Sequence, residues 1–275
     1  MKERITLTIE SDLIKRIDNS IDNYKIKNRS HAIELLLYKG LGNNKLKKAL
    51  ILAGGKSTRL KPITDEIPKP LIPLQGKPII QHTIDLLRKF GIKEIYISVG
   101  YKADKFKEIL GNGLNMGVKI IYIEEDEPLG TAGPLKLAKH FLDETFVVCN
   151  ADELKDIDLI DMYKFHKETG AIATIALTTI TKPKQYGVAK LQGNKILEFI
   201  EKPENPPSNL INAGLYIMEP EIINLVPRGK SMLEKEIFPK IAKKDKLYGY
   251  HFTGQWFDTG NLKRYAKARN EWKGI

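Results

Sequence analysis

The run Leu52-Ala53-Gly54-Gly55-Lys56-Ser57-Thr58-Arg59-Leu60 combines the residue types needed to hold a phosphate chain. Ala49 to Leu52 reads as a short buried strand, and two glycines follow at once, where bare backbone N–H groups can approach an anion. Arg59 and Lys69 add mobile positive charge. A Walker A loop would need a glycine five residues before Gly55, where Leu50 stands, and a dinucleotide fingerprint would need glycine at Ser57 and Leu60. Both are excluded. The five histidines have no i, i+4 metal spacing, and Cys149 is the only cysteine, which excludes an internal disulfide and a cysteine zinc cluster.

These residues need a scaffold, and the 275-residue length allows one large domain plus a small one. With 29% charged and 42% hydrophobic residues the chain reads as globular. The formal charge of +11 is uneven: residues 1–48 hold eleven Lys and Arg against six Asp and Glu, a net +5 on a small part of the chain. No secretory segment follows Met1 and no apolar run approaches membrane-spanning length, so a cytoplasmic location without membrane contact is expected. All fourteen prolines lie beyond residue 47, which sets a boundary there. The expected organisation is a small domain at 1–42, a linker at 43–47 and a large domain at 48–275.

In the large domain apolar strands expected at 49–53, 94–99, 118–123 and 146–149 alternate with helices near 79–90, 103–110 and 133–140. That order predicts an α/β fold, a mostly parallel Rossmann-like sheet flanked by helices. Ligands on such sheets bind beyond the carboxyl ends of the strands, where the Gly54 turn and Asn150-Ala151-Asp152 both fall. A last helix is expected at 262–273.

Together with Lys61-Pro62-Ile63-Thr64 and Pro68-Lys69-Pro70-Leu71, the glycine run resembles the signature of the nucleotidyltransferases that activate sugar 1-phosphates. Ser57 stands where that family has its third glycine. Gly130-Thr131-Ala132-Gly133-Pro134 resembles the family segment that lies against the nucleotide, in the wording of the mannose-1-phosphate guanylyltransferases. Asn150-Ala151-Asp152 stands for the family's N-G-D, and Trp256-Phe257-Asp258-Thr259-Gly260 for its W-x-D-x-G. Tyr186-Gly187-Val188, Glu201-Lys202-Pro203 and Asn212-Ala213-Gly214 resemble its Y-G-V, E-K-P and N-A-G segments.

The resemblance implies roles residue by residue. Leu52, Ala53, Gly54, Gly55, Ser57, Thr58, Gly130 and Thr131 would contact the nucleotide, and Arg59 and Lys69 would act on its triphosphate. Tyr186, Gly187, Glu201, Lys202, Asn212 and Gly214 would hold the sugar phosphate. Asp152 and Asp258 would hold Mg²⁺, which takes few protein oxygens and leaves the rest to phosphate and water. Either aspartate alone is also an ordinary turn residue. The segment Ser231-Met232-Leu233-Glu234-Lys235-Glu236 is expected to start an amphipathic helix of structural purpose. The chain ends soon after Asp258, so the hexapeptide β-helix domain of many relatives is not expected.

Residues 2–9 alternate, with Ile5, Leu7 and Ile9 on one face and Arg4, Thr6 and Thr8 on the other, which predicts a half-buried strand. Helices capped by Ser11 and Ser30 are expected after it. One strand and two helices cannot close a core, so pairing with a second copy is expected. The segment resembles the ribbon-helix-helix repressors. By that resemblance Arg4, Thr6 and Thr8 would read base edges of duplex DNA, and Arg29 and Ser30 would hold a backbone phosphate. A ribbon that only makes a homodimer, or a higher homo-oligomer, stays open beside it.

Two functions follow. One is an enzyme that makes a nucleotide sugar and pyrophosphate from a nucleoside triphosphate and a sugar 1-phosphate, GTP and mannose 1-phosphate first. The other is a transcriptional regulator whose enzyme-like domain senses a nucleotide sugar.

Overall fold

Helices α1 (Ser11–Asp18) and α2 (Arg29–Gly40) carry the N-terminal apolar residues. In the computed structural model residues 5–22, 26–40, 46–55 and 60–275 are described, with backbone alone at 38–40. The chain divides into two units, Met1–Asn44 and Lys45–Ile275. In the first, Ile17, Ala32 and Leu35 are buried, while Leu13, Leu36 and Leu37 stay exposed. Ser11 lies inside α1 and Glu10 precedes it, so the expected Ser11 cap is corrected. Ser30 likewise lies inside α2, and Asn28 takes its place, with Oδ1 accepting from His31 N at 2.9 Å. Asparagine caps as well as serine does, and here it sits where the free N–H groups begin. Residues 5–9 pair with no strand among the described residues, because a two-stranded ribbon needs an edge that one copy does not supply.

The second unit opens with β1 (Lys48–Leu52), in which Ala49, Leu50 and Ile51 are fully buried. Leu46, placed in the expected linker, is fully buried as well; 43–45 lie outside the described residues. Then come α3 (Ile63–Glu66), a small hairpin of β2 (Pro73–Leu74) and β3 (Lys77–Pro78), α4 (Ile79–Lys89) and β4 (Glu94–Val99). Next are α5 (Ala103–Leu110), β5 (Lys119–Glu124), α6 (Gly133–Leu137), β6 (Phe146–Asn150) and β7 (Glu153–Lys155). The remainder is α7 (Leu159–Thr169), β8 (Ala173–Thr179), β9 (Gly187–Gln192), β10 (Lys195–Glu201), β11 (Leu210–Met218), α8 (Phe238–Ala242), β12 (Leu247–His251), β13 (Trp256–Asp258) and α9 (Leu262–Glu271).

Nine strands form one sheet in the order β5-β4-β1-β6-β11-β8-β12-β10-β9. Its first four are parallel, in keeping with their mostly apolar runs and intervening helices. From β11 onward the pairing is largely antiparallel, with β12–β8 the parallel exception. The expectation of a mostly parallel sheet is thereby corrected to a mixed one. The physical reason lies in the connections: β9 and β10 are joined by the two-residue turn at Gly193-Asn194, too short for a parallel crossover.

Local chemistry fixes the helix ends. Asp158 Oδ1 accepts from Ile160 N at 2.9 Å and Asp161 N at 3.1 Å to start α7, which Gly170 ends at φ 62°. Asn261 Oδ1 accepts from Arg264 N at 2.9 Å to start α9. The core lies between sheet and helices, with Tyr216, Phe146, Phe238 and Leu135 fully buried. A smaller apolar group joins Leu60, Leu74, Ile79, Leu154 and Trp272 beneath the end of the chain.

Candidate active site

Three strand ends meet around the glycine turn. Ala53 N donates to Ser98 O at 2.9 Å, Ala151 N to Leu52 O at 3.2 Å and Glu125 N to Val99 O at 2.8 Å. The loops after β1, β4, β5 and β6 are thus stitched side by side at the carboxyl edge of the parallel strands. Gly54 and Gly55 lie there as expected, while Lys56, Ser57, Thr58 and Arg59 are outside the described residues. A Cβ on Gly54 would stand 2.3 Å from Glu125 Oε1, so that carboxylate would have to shift.

Lys69 sits in a short 3-10 turn, 3% exposed, and its Nζ meets Asp152 Oδ2 at 2.5 Å. Burial is the strongest influence on Asp152 and opposes its ionisation. Lys69, and behind it Lys155, outweighs that and holds the carboxyl below its ordinary value. The neighbouring Glu153 behaves oppositely: burial pushes it up, and Asp152 and Asp258 push the same way. Glu153 accepts from Asn150 Nδ2 at 3.0 Å and from Trp256 Nε1 at 3.2 Å.

Asp152 and Asp258, about a hundred residues apart in sequence, are brought to one edge by backbone pairing. β13 runs antiparallel to β7 with Asp258 opposite Glu153, and Thr259 Oγ1 donates to Asp152 O at 2.7 Å. Asp258 is held by Gly260 N at 2.6 Å, Tyr186 Oη at 3.1 Å and Arg264 Nη1 at 2.5 Å. Tyr186 packs edge-on against Trp256, with ring centroids 5.5 Å apart, and Arg264 lies over its ring at 5.0 Å. The Tyr186 hydroxyl therefore supports Asp258. Among the described residues no group of three or more His, Cys, Asp or Glu could hold a metal. Two hard carboxylates on one edge nevertheless fit Mg²⁺, whose sites beside phosphate use one or two protein carboxylates.

The expected sugar-phosphate residues gather on the antiparallel strands. Glu201 lies opposite Gly187 in the β9–β10 pair, and a Cβ on Gly187 would stand 2.9 Å from Glu201 Oε2. Lys202, with φ 52°, places its Nζ 3.1 Å from Glu201 Oε1 and remains largely exposed. Gly214, at φ 60°, leaves space that Asn150 Nδ2 and Glu153 Oε2 fill. The Asn212 amide is turned inward, Oδ1 accepting from Gly214 N at 2.9 Å and Nδ2 donating to Tyr216 Oη at 2.8 Å.

Thr131 accepts from Leu233 N at 2.9 Å and donates to Glu234 Oε2 at 2.5 Å. A Cβ on Gly130 would stand 2.3 Å from Ser231 O, so the two segments close on each other. The expected amphipathic helix there is corrected to a π turn at Leu233–Ile237 followed by α8. Burial raises the Glu234 carboxyl above its ordinary value, with Glu201 contributing. Sequence reasoning missed Glu125, Glu153, Glu234 and Arg264. Glu153 follows Asp152 directly and Arg264 lies one helical turn past the Asn261 cap, but their partners are set by strand pairing that no short motif encodes.

In the first unit Thr6 and Thr8 are exposed, and Arg4 lies outside the described residues. Arg29 is already engaged, its Nε and Nη2 meeting Asp18 at 2.8 and 2.7 Å. Both partners are exposed, so that pair contributes little and is readily exchanged. Ser30 is exposed beside it.

Comparison with known proteins bears on the second unit. The family described as nucleotidyl transferase matches residues 48–273. The catalytic subunit beta of mannose-1-phosphate guanylyltransferase from Danio rerio is 40% identical over 224 residues, covering 79% of this chain and 62% of that protein. Mannose-1-phosphate guanyltransferase of Yarrowia lipolytica is 41% identical over 227 residues, covering 80% and 62%. The chain thus spans less than two thirds of these relatives. Among solved structures, a putative glucose-1-phosphate thymidylyltransferase from Bacillus anthracis in complex with a sucrose superposes at TM-score 0.75. It has 29% identity, and the match covers 83% of this chain and 97% of that one. HddC from Yersinia pseudotuberculosis complexed with GMP-PN superposes at 0.70, with 28% identity over 83% and all of the respective chains. No helix among the described residues is long and apolar enough to cross a membrane. The chain belongs to the nucleotidyl transferase family.

Proposed function

We propose that the second unit transfers a nucleotidyl group from a nucleoside triphosphate to a sugar 1-phosphate, releasing pyrophosphate, with GTP and mannose 1-phosphate as the pair. The observation that carries this reading is the gathering of the Gly54 turn, the Lys69–Asp152 pair and Asp258 at one edge of the sheet. The choice of pair rests on the guanylyltransferase relatives and on the Gly130-Thr131-Ala132-Gly133 wording.

The sugar phosphate oxygen attacks the α-phosphorus in line and pyrophosphate leaves, so no enzyme nucleophile is needed. Binding two anions side by side is the main task. The backbone of Leu52, Ala53, Gly54 and Gly55 takes the nucleotide, with Ser57, Thr58 and Arg59 as further contacts expected from sequence. Lys69, buried and paired with Asp152, supplies positive charge for the triphosphate. Lys202 takes the sugar phosphate, and Glu201 and Asn212 orient the sugar, with Gly187 and Gly214 leaving the room that Glu201, Asn150 and Glu153 occupy. Tyr186 and Arg264 steady Asp258. Asp152 and Asp258 would hold Mg²⁺, which when bound would neutralise charge building on the phosphoryl oxygens. The test is magnesium-dependent pyrophosphate release across a grid of nucleoside triphosphates and sugar 1-phosphates. One strong cell at GTP with mannose 1-phosphate supports the reading, and a blank grid removes it.

The first unit suggests a second role. Ile5 and Leu7 are 66% and 51% exposed, and Leu13, Leu36 and Leu37 lie open in the same unit. These exposed apolar residues support our reading of residues 1–42 as a ribbon-helix-helix homodimer in which Arg4, Thr6 and Thr8 read duplex DNA in the cytoplasm and Arg29 and Ser30 hold the phosphates. Titration of duplexes from the gene's own upstream region at several salt concentrations tests it. Equal weak binding to every sequence, lost at moderate salt, would remove a specific operator. A blank grid with tight binding of a nucleotide sugar would instead favour the sensing regulator.

A further inference from the structure

The three carboxylates of the β7–β13 edge each have a cationic partner. Lys69 Nζ meets Asp152 Oδ2 at 2.5 Å, Lys155 Nζ lies 3.7 Å from Glu153 Oε2, and Arg264 Nη1 meets Asp258 Oδ2 at 2.5 Å. Three acids are thus set against three bases, and the edge offers a free divalent cation no net negative charge. The oxygens of Asp258 are engaged as well. Its Oδ1 accepts from Gly260 N at 2.6 Å, and its Oδ2 accepts from both Tyr186 Oη at 3.1 Å and Arg264 Nη1. A carboxylate has about four acceptor sites, two on each oxygen, so Oδ2 is full until one donor leaves.

The three bases differ in their freedom to leave. The Lys69 and Lys155 side chains are 4% and 1% exposed, whereas that of Arg264 is 25% exposed. Lys155 is also tied to Gly214 O at 3.0 Å. Arg264 projects from the first turn of α9, where its Nη2 donates to Gln185 Oε1 and its guanidinium lies 5.0 Å over the Tyr186 ring. A guanidinium stays charged at any working pH, so it can leave Asp258 only for another anion. Gln185 and Tyr186 lead directly into Gly187, which faces Glu201 across the β9–β10 pair, with Lys202 next in sequence. Arg264 therefore lies along the segment expected to hold the sugar phosphate, and phosphate oxygens match its planar fork. We propose that Arg264 holds Asp258 until a sugar 1-phosphate arrives, and that its guanidinium then passes to that phosphate and frees Asp258 Oδ2 for the cation. This rests on the nucleotidyl-transfer reading above. Cation and sugar phosphate consequently bind cooperatively, and Asp258 keeps its aim through Gly260 N and Tyr186 Oη while the exchange takes place.

Calorimetric titration of the full-length protein with Mn²⁺ tests this without turnover. The cation alone is expected to bind the wild type weakly and Arg264→Gln about tenfold more tightly, the equivalent of one charge-assisted hydrogen bond that no longer has to be broken. Arg264→Lys keeps the charge and is expected to keep the weak binding. Lys263→Gln removes an exposed charge from the same helix and measures any general charge effect. Saturating mannose 1-phosphate should raise the Mn²⁺ affinity of the wild type by about tenfold, and Mn²⁺ should raise the affinity for mannose 1-phosphate by the same factor, whereas Arg264→Gln should show neither effect. An arginine that only braces Asp258 predicts the opposite sign, with Arg264→Gln binding Mn²⁺ more weakly than the wild type. That result, or a gain no larger than the one seen in Lys263→Gln, overturns the proposal. If Arg264→Gln fails to fold, a wild type in which mannose 1-phosphate leaves the Mn²⁺ affinity unchanged overturns it instead. Either result in a protein that still joins a nucleotide to mannose 1-phosphate sinks the proposal alone; a wild type that neither binds mannose 1-phosphate nor transfers to it sinks the choice of substrate together with it.

Discussion

Asp258 accepts three hydrogen bonds, one from a backbone N–H, one from a phenol and one from a guanidinium, and it is mostly buried. Such a group is aimed and cannot swing away, which suits a carboxylate that must meet charge in a transition state. Asp258→Ala is expected to lower turnover by about 10²-fold or more while the protein melts near its original temperature; near-normal turnover would remove Asp258 from the site. The sequence made Asp152, Asp258 and Lys69 legible because loop residues of those types stood in a fixed order. It left Glu153 and Glu125 illegible, since nothing local says which oxygen a folded neighbour will face. His166 is a different case, buried with Nδ1 2.8 Å from Thr174 Oγ1 and Nε2 3.2 Å from Glu219. Burial pulls it down to about 4, against the opposing pull of Glu219 and with a smaller push from Lys167. Between about pH 6.5 and 4 the unfolded chain therefore takes up a proton that the folded chain refuses, and stability falls as pH falls through that window. Unfolding free energies from urea titrations at pH 7 and 4.5 should differ less in His166→Gln than in the wild type, by on the order of 2 kcal/mol. An equal difference would show that His166 is not the group responsible.

At the scale of elements the short β7–β13 pair does for the site what the large sheet does for the fold. It closes the Asp152 and Asp258 turns on each other, and Gly214 of β11 gives it room. Gly214→Ala would combine left-handed backbone with a Cβ 2.5 Å from both Asn150 Nδ2 and Glu153 Oε2. Gly193→Ala, at φ 57° with nothing within 4 Å, carries the backbone cost alone. Thermal melting should show a loss of about 1 kcal/mol for Gly193→Ala and roughly 2 to 4 kcal/mol for Gly214→Ala. Equal losses would mean that the crowding at Gly214 relaxes freely. Strand positions in the parallel half were legible because their runs are mostly apolar. The antiparallel half was not, because pairing direction there follows from turn lengths and bulges such as the shift between Asn212 and Tyr216.

Across the whole molecule two units share one chain; the second packs its apolar residues into a large core, and in the first Ile17, Ala32 and Leu35 are buried among the described residues. Residues 45–275 alone should keep turnover and run as a smaller species than the full chain, which light scattering should find at least dimeric through residues 1–42. A monomeric full-length protein would remove the paired-ribbon reading and leave the transferase untouched. Proline usage set the expected boundary near residue 47, whereas the chain divides at Asn44/Lys45 and Leu46 is fully buried, since a short polar run conceals one anchoring side chain. The account turns on which phosphorus is attacked at the edge that holds Asp152, Lys69 and Asp258. The most direct measurement supplies GTP labelled at either the α- or the γ-phosphorus, with mannose 1-phosphate and Mg²⁺. The account predicts α-label in the nucleotide sugar and γ-label in pyrophosphate; γ-label carried onto the sugar, or no transfer of either label, would contradict it.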